Sequence, residues 1–116
     1  MLFEDISFYF LGNYKPAYKA DLQALVFAAG GGIMVSCDQQ VQWSKVVVYN
    51  ADVDPATCSS DIDEVRKDRL FEAKSLAYKI KARVVEHTWI PSSIASYQLL
   101  PCEFWNAHIY SKLGPP

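Results

Sequence analysis

The sequence predicts an α/β domain: a parallel sheet with helices packed over both of its faces. Three observations predict it. Two dense apolar runs, Ile6 to Leu11 and Lys45 to Tyr49, are β-branched or aromatic and too short for ordinary helices. Two longer segments carry helical period instead. The two kinds alternate along the 116-residue chain. Strands that stay apolar at consecutive positions are buried on both sides, and strands separated by helices pair in parallel.

Taken in order, Ile6 to Leu11 (ISFYFL) is the first strand, broken by Gly12 and Asn13, and Pro16 keeps Lys15 out of helical conformation. Lys19 to Ala29 is the first helix, with Leu22, Leu25, Val26 and Ala29 at i, i+3, i+4 and i+7. Gly30, Gly31 and Gly32 end it, because glycine accepts positive φ at no steric cost. Ile33 to Val35 is a short strand, residues 36–44 are irregular, and Lys45 to Tyr49 (KVVVY) is a buried strand. Asn50 to Glu64, with Pro55 and five acidic residues, reads as an acidic surface loop.

Val65 to Ala82 is helical, with Leu70, Ala73, Ala77 and Ile80 as its apolar stripe. Arg83 to Val85 is a fourth strand. His87 to Tyr97 is a last helix, with Thr88 as N-cap and Pro91 in the first turn. Trp89 falls within its apolar side and is assigned to the core. Phe104, Trp105, Ile109 and Tyr110 make residues 102–116 too aromatic for a free tail, so this segment is expected to pack on the domain or a neighbour.

Composition narrows the function. An apolar fraction of 51% with 21% charged residues fits a single globular domain able to bury an ordinary core. Three widely spaced cysteines, Cys37, Cys58 and Cys102, argue against a disulfide framework and for a reducing compartment. Glu4 and Asp5 stand where a signal peptide needs basic residues, and no apolar stretch approaches the ~18 residues that span a bilayer. No membrane partner is expected, and the chain reads as part of a longer protein. The net charge of −2 hides an asymmetry: residues 1–64 sum to −6 and residues 65–116 to +4.

Several chemistries find no support in the spacing. The glycine run follows a helix, whereas phosphate loops precede one. His87 and His108 lie in no H-x₃₋₅-H pair and the cysteines in no CxxC pair, so no metal site or cofactor is expected. No nucleophile motif occurs, so neither catalysis nor a small-molecule substrate is expected. The basic segment 66–83 holds seven Lys/Arg, with Lys67, Lys74 and Lys81 at seven-residue intervals. Two readings of it stay open: a solvated helix surface, and a direct contact to DNA or a nucleosome.

The element order, the GG turn after the first helix and the RVVEHTWI segment (Arg83 to Ile90) together resemble the BRCT domain. Leu2 to Gly12, Ala20 to Gly32 and Trp89 to Pro101 carry most of the likeness. Within that family the chain is most similar to the second repeat of the tandem pairs that end the breast-cancer-susceptibility-type proteins and their RING-domain partners. The resemblance implies a four-stranded parallel sheet with helices 1 and 3 on one face and helix 2 on the other. It spans residues 1–116 as one domain, with a core of about 1–101. It also implies a nuclear, non-catalytic interaction module in DNA-damage signalling and homologous recombination, its parent of the kind found in E3 ubiquitin ligase complexes. The partners implied are an adjacent BRCT repeat and a phosphorylated protein or chromatin.

In the family's phosphate-reading repeat, a Ser or Thr before a glycine and a lysine on the second helix clamp the phosphate. Here Leu11–Gly12 matches the first pair, without the hydroxyl, and Lys74 stands near the lysine. The domain is therefore expected to supply the non-phosphate half of a tandem phosphopeptide groove. Ala17, His87 and Pro91 are the candidate peptide-pocket residues, Leu22 and Phe27 the candidates for packing on the neighbouring repeat, and Gly30, Gly31 and Trp89 the structural positions.

Overall fold

The computed structural model describes residues 1–102. The elements are β1 (Ile6–Phe10), α1 (Pro16–Ala28), β2 (Gly32–Ile33), β3 (Ser44–Tyr49), α2 (Ile62–Ile80), β4 (Arg83–Glu86) and α3 (Trp89–Ser96). All four strands are parallel, in the order β2-β1-β3-β4. The expected aromatic packing of the tail beyond Cys102 lies outside the described residues.

Alternation along the strands divides the interior into two cores. Ile6, Phe8 and Phe10 of β1, Val46 and Val48 of β3 and Val85 of β4 meet Leu22 and Val26 of α1 and Trp89 and Ile90 of α3. On the opposite face Val47, Tyr49 and Val84 meet Ala73 and Ala77 of α2. Helices 1 and 3 thus share one face and helix 2 covers the other. The alanines let α2 lie close to the β-branched sheet, while the α1/α3 side is filled by rings. Trp89 stacks on Phe3 with centroids 5.7 Å apart, and Phe3 in turn lies 5.0 Å from Phe8.

The glycine turn has two distinct parts. Gly30 takes φ +90° and donates to Phe27 O at 3.0 Å, while Gly31 donates to Val26 O at 2.9 Å. This is the Schellman pattern, which satisfies two of the helix's last carbonyls. Gly30 is there for its conformation, and a Cβ on it would also sit 2.7 Å from Met1 Cβ. Gly31 is there for space: a Cβ on it would sit 2.8 Å from Val26 Cγ1 and 3.1 Å from Phe3 Cβ.

Element ends differ from expectation for identifiable reasons. α1 starts at Pro16, three residues early, because proline is preset for the first helical position. α2 starts at Ile62, since Asp61 accepts from Asp63 N–H at 2.9 Å and Asp63 and Glu64 lie in the first turn. These acids offset the unpaired N–H groups of the helix start and are not loop residues. The same helix stops at Ile80 because Lys81 turns left-handed, φ +61°. Thr88 does sit at the N-cap of α3, but its hydroxyl bonds back to Glu86 Oε2 and leaves the helix N–H groups alone.

Candidate functional site

The carboxyl ends of the strands bring three short segments together: Leu11–Gly12 after β1, Asn50 to Asp52 after β3, and Glu86–His87 at the end of β4. In open α/β sheets this edge is where ligands bind. An open pocket of about 170 Å³ lies there, lined by Leu11, Gly12, Asn13, Tyr49, Asn50, Arg69 and Glu72. Leu11 offers the pocket no hydroxyl, and its N–H is already donated to Val48 O at 2.9 Å. The cation beside it is Arg69, whose guanidinium donates to Asn50 O (3.0 Å) and Asp52 O (2.7 Å). An anion in this pocket would meet leucine methyls, the Glu72 carboxylate and a guanidinium whose Nη1 is already engaged by two carbonyls. That is poor chemistry for a phosphate, which needs converging free donors.

Beside the pocket, His87 is 4% exposed and both of its ring nitrogens are engaged. Nδ1 faces the Tyr18 hydroxyl of α1, with the two rings edge-on. Nε2 lies 2.9 Å from Asp52 Oδ2 and 2.7 Å from Glu86 Oε1. Asp52, Glu86 and His87 are far apart or merely adjacent in sequence, so local spacing gave no sign of the cluster. Burial raises the titration of the Tyr18 hydroxyl above the ordinary tyrosine range, with the Glu86 and Asp52 charges adding to it.

A second feature lies at the far side of α1 and α3. Met1, Leu2, Leu25, Ala28, Ala29, Ile94 and Tyr97 line an apolar groove of about 280 Å³. Tyr97 is 91% exposed at the end of α3, while Phe27, 60% exposed, lies about 160° round α1 from Leu25.

A third feature is the outer side of α2. Lys67, Lys79 and Lys81 are exposed there, with Phe71 and Tyr78, while Lys74 is half-buried. The arginines of the basic segment behave differently. Arg66 donates to Ala51 O, Arg69 clamps the loop, and Arg83 is buried, with a guanidinium nitrogen 3.6 Å from Cys102 Sγ. Its burial lowers the Arg83 pKa.

Comparison with known proteins identifies the fold. No family model matches the chain. It is 36% identical over 110 residues to the BRCA1-associated RING domain protein 1 of Arabidopsis thaliana, covering 86% of this chain and 15% of that protein. It is 35% identical over 102 residues to the Protein BREAST CANCER SUSCEPTIBILITY 1 homolog of Arabidopsis thaliana, covering 85% and 10%. The chain thus spans only about a tenth to a seventh of these relatives. Its fold superposes on the second BRCT domain of XRCC1 with a TM-score of 0.53 at 22% identity, covering 92% of this chain and 94% of that one. The C-terminal BRCT domain of human XRCC1 gives 0.52 at 18%, covering 96% and 95%.

The chain has the BRCT fold.

Within this fold the expected site residues are scattered. Ala17 is exposed in the first turn of α1, and it is the next residue, Tyr18, that reaches His87. His87 is buried in the interior of the fold. Pro91 is half-buried in the first turn of α3. Leu22 is 1% exposed inside the domain's own core and has no surface to offer a neighbour; Leu25 and Phe27 have. Lys74 does not line the Leu11–Gly12 pocket. It lies five residues beyond Arg69, about 140° further round the helix. Trp89 is 7% exposed, as a core residue is.

Proposed function

We propose that this chain is a BRCT domain, the second repeat of a tandem pair in a nuclear DNA-damage-response and homologous-recombination scaffold. It packs α1 and α3 against the preceding repeat and supplies the non-phosphate half of a groove for a phosphorylated protein or chromatin partner. The observation that carries the reading is the apolar groove of Leu25, Ala28, Ala29, Ile94 and Tyr97 between α1 and α3. Contiguous apolar surface of this kind marks an interaction face. The Leu11–Gly12 pocket supports it from the other direction, since Leu11 carries no hydroxyl for a phosphate and Nη1 of Arg69 is already given to two carbonyls. The names of the two curated relatives support the setting in DNA repair.

Titration of the isolated domain with phosphopeptides and their unphosphorylated counterparts tests the reading. It predicts no phosphate-dependent binding tighter than millimolar. Micromolar, phosphate-dependent binding by this domain alone would overturn it.

A second reading rests on the outer side of α2, where Lys67, Lys79 and Lys81 are exposed together with Phe71 and Tyr78. It makes this helix a direct DNA or nucleosome contact, with half-buried Lys74 contributing. It predicts affinity that falls steeply with salt. Charge reversal at Lys67, Lys74 and Lys81 that leaves DNA and nucleosome binding unchanged would remove it.

A further inference from the structure

We propose that the carboxyl edge of the sheet holds a divalent transition-metal ion on His87 Nε2, Asp52 Oδ2 and Glu86 Oε1. The three ligand atoms lie within 4.8 Å of one another. They come from the end of β4 and from the loop after β3, so the fold creates the site. It is independent of the tandem-repeat reading.

The hydrogen-bond inventory points to a cation here. An imidazole nitrogen carries at most one hydrogen. Two carboxylates converge on Nε2, and the geometry of a hydrogen bond is met only toward Asp52 Oδ2. Glu86 Oε1 is therefore a buried acceptor with no donor among the described residues, although it lies 2.7 Å from that nitrogen. A buried carboxylate oxygen without a donor is costly. An ion between the three atoms satisfies both carboxylates and the ring nitrogen together.

The surroundings are those of an oriented ligand set. The opposite nitrogen of His87 bonds to Tyr18 Oη, the kind of outer contact that fixes a metal-binding imidazole. Glu86 is aimed by its other oxygen, which accepts from Thr88 N at 2.9 Å and from the Thr88 hydroxyl. The Asp52 backbone is held by Arg69 on its carbonyl and by Asn50 Oδ1 on its N–H. Bonds of about 2.0–2.2 Å at tetrahedral angles separate ligand atoms by about 3.3 Å, so the two contacts to Nε2 open by only about half an ångström while the two carboxylate oxygens stay within 4.8 Å of each other. Asp52, with its side chain 77% exposed, is free to make that move. One imidazole and two carboxylates suit zinc or a neighbouring ion better than calcium or magnesium, and water completes the shell on the solvent side.

Zinc chloride titrated into chelator-treated full chain tests the site by calorimetry and thermal unfolding. Cys37, Cys58 and Cys102 are replaced by serine throughout, so that thiols do not compete. The expected result is one equivalent bound, with Tm raised by about 5 °C or more at a hundredfold excess over Kd. Asp52→Asn and Glu86→Gln each weaken binding at least about tenfold. Asp52 is exposed, so its variant folds whether or not removing the buried His87 ring is tolerated. Tyr18→Phe weakens binding without abolishing it. No zinc-dependent shift, or binding unchanged in both the Asp52 and Glu86 variants, would overturn the site.

Discussion

Trp89 lies parallel to Phe3, 15° from coplanar, and its indole N–H donates to Leu100 O at 2.9 Å. One side chain thereby ties together the N-terminal segment, the start of α3 and the chain beyond that helix. Phe3 is fully buried and its own N–H is donated to Ala29 O, so the same assembly fixes the end of α1. Trp89→Ala is expected to cost ~3–5 kcal/mol through the cavity it leaves. Trp89→Phe keeps most of the volume and is expected to cost less. Urea unfolding of both variants measures the difference, and a loss under ~1 kcal/mol for alanine would contradict a core role.

Gly31 is predicted to be intolerant of a methyl group for reasons of packing. Gly31→Ala places its Cβ against Val26 and Phe3 and is expected to cost about 1–3 kcal/mol. Gly12→Ala meets nothing within 4 Å and pays only for its φ of +91°, about 1–2 kcal/mol. A double-mutant cycle separates the two causes. Gly31→Ala with Val26→Ala is expected to show coupling above about 0.5 kcal/mol, and Gly12→Ala with Val26→Ala none.

The alkaline limb of stability is predicted to depend on Tyr14. Its hydroxyl donates to Val48 O at 2.9 Å, and burial pushes its titration well above the ordinary tyrosine range, helped by the Glu86 charge. The unfolded chain loses this proton near pH ~10 while the folded chain keeps it. The contribution is therefore intact below about pH 10 and declines as pH rises beyond that. Tyr14→Phe is expected to lower stability at pH 7 by about 1 kcal/mol through the lost hydrogen bond and to flatten the decline. Urea midpoints at pH 8 and pH 11 check both parts.

Much of the fold was legible because its signals are local. The β-branched runs, the i, i+3, i+4 stripes and the glycine turn each declare an element within a dozen residues. The ends were less legible where one residue type has two uses. Asp61, Asp63 and Glu64 look like an acidic loop until the helix they open is seen to need them. The site was the least legible part. His87 matched a pocket-edge position in sequence, yet Tyr18, Asp52 and Glu86 enclose it. Lys74 and Arg69 are both cations on one helix, and only the helix's rotation against β1 and β3 determines which faces Leu11–Gly12. Leu22 shares its period with Leu25, and no periodicity tells which of the two meets the sheet.

The central claim is that the α1/α3 groove is covered by a neighbouring repeat in the whole protein. Hydroxyl-radical footprinting of the isolated domain and of the full-length protein tests this at Leu25, Ile94 and Tyr97. The account predicts strong labelling in the isolated domain and several-fold protection in the full-length protein, with Phe71 and Tyr78 of α2 labelled equally in both. Equal labelling of the groove residues in the two samples would contradict it.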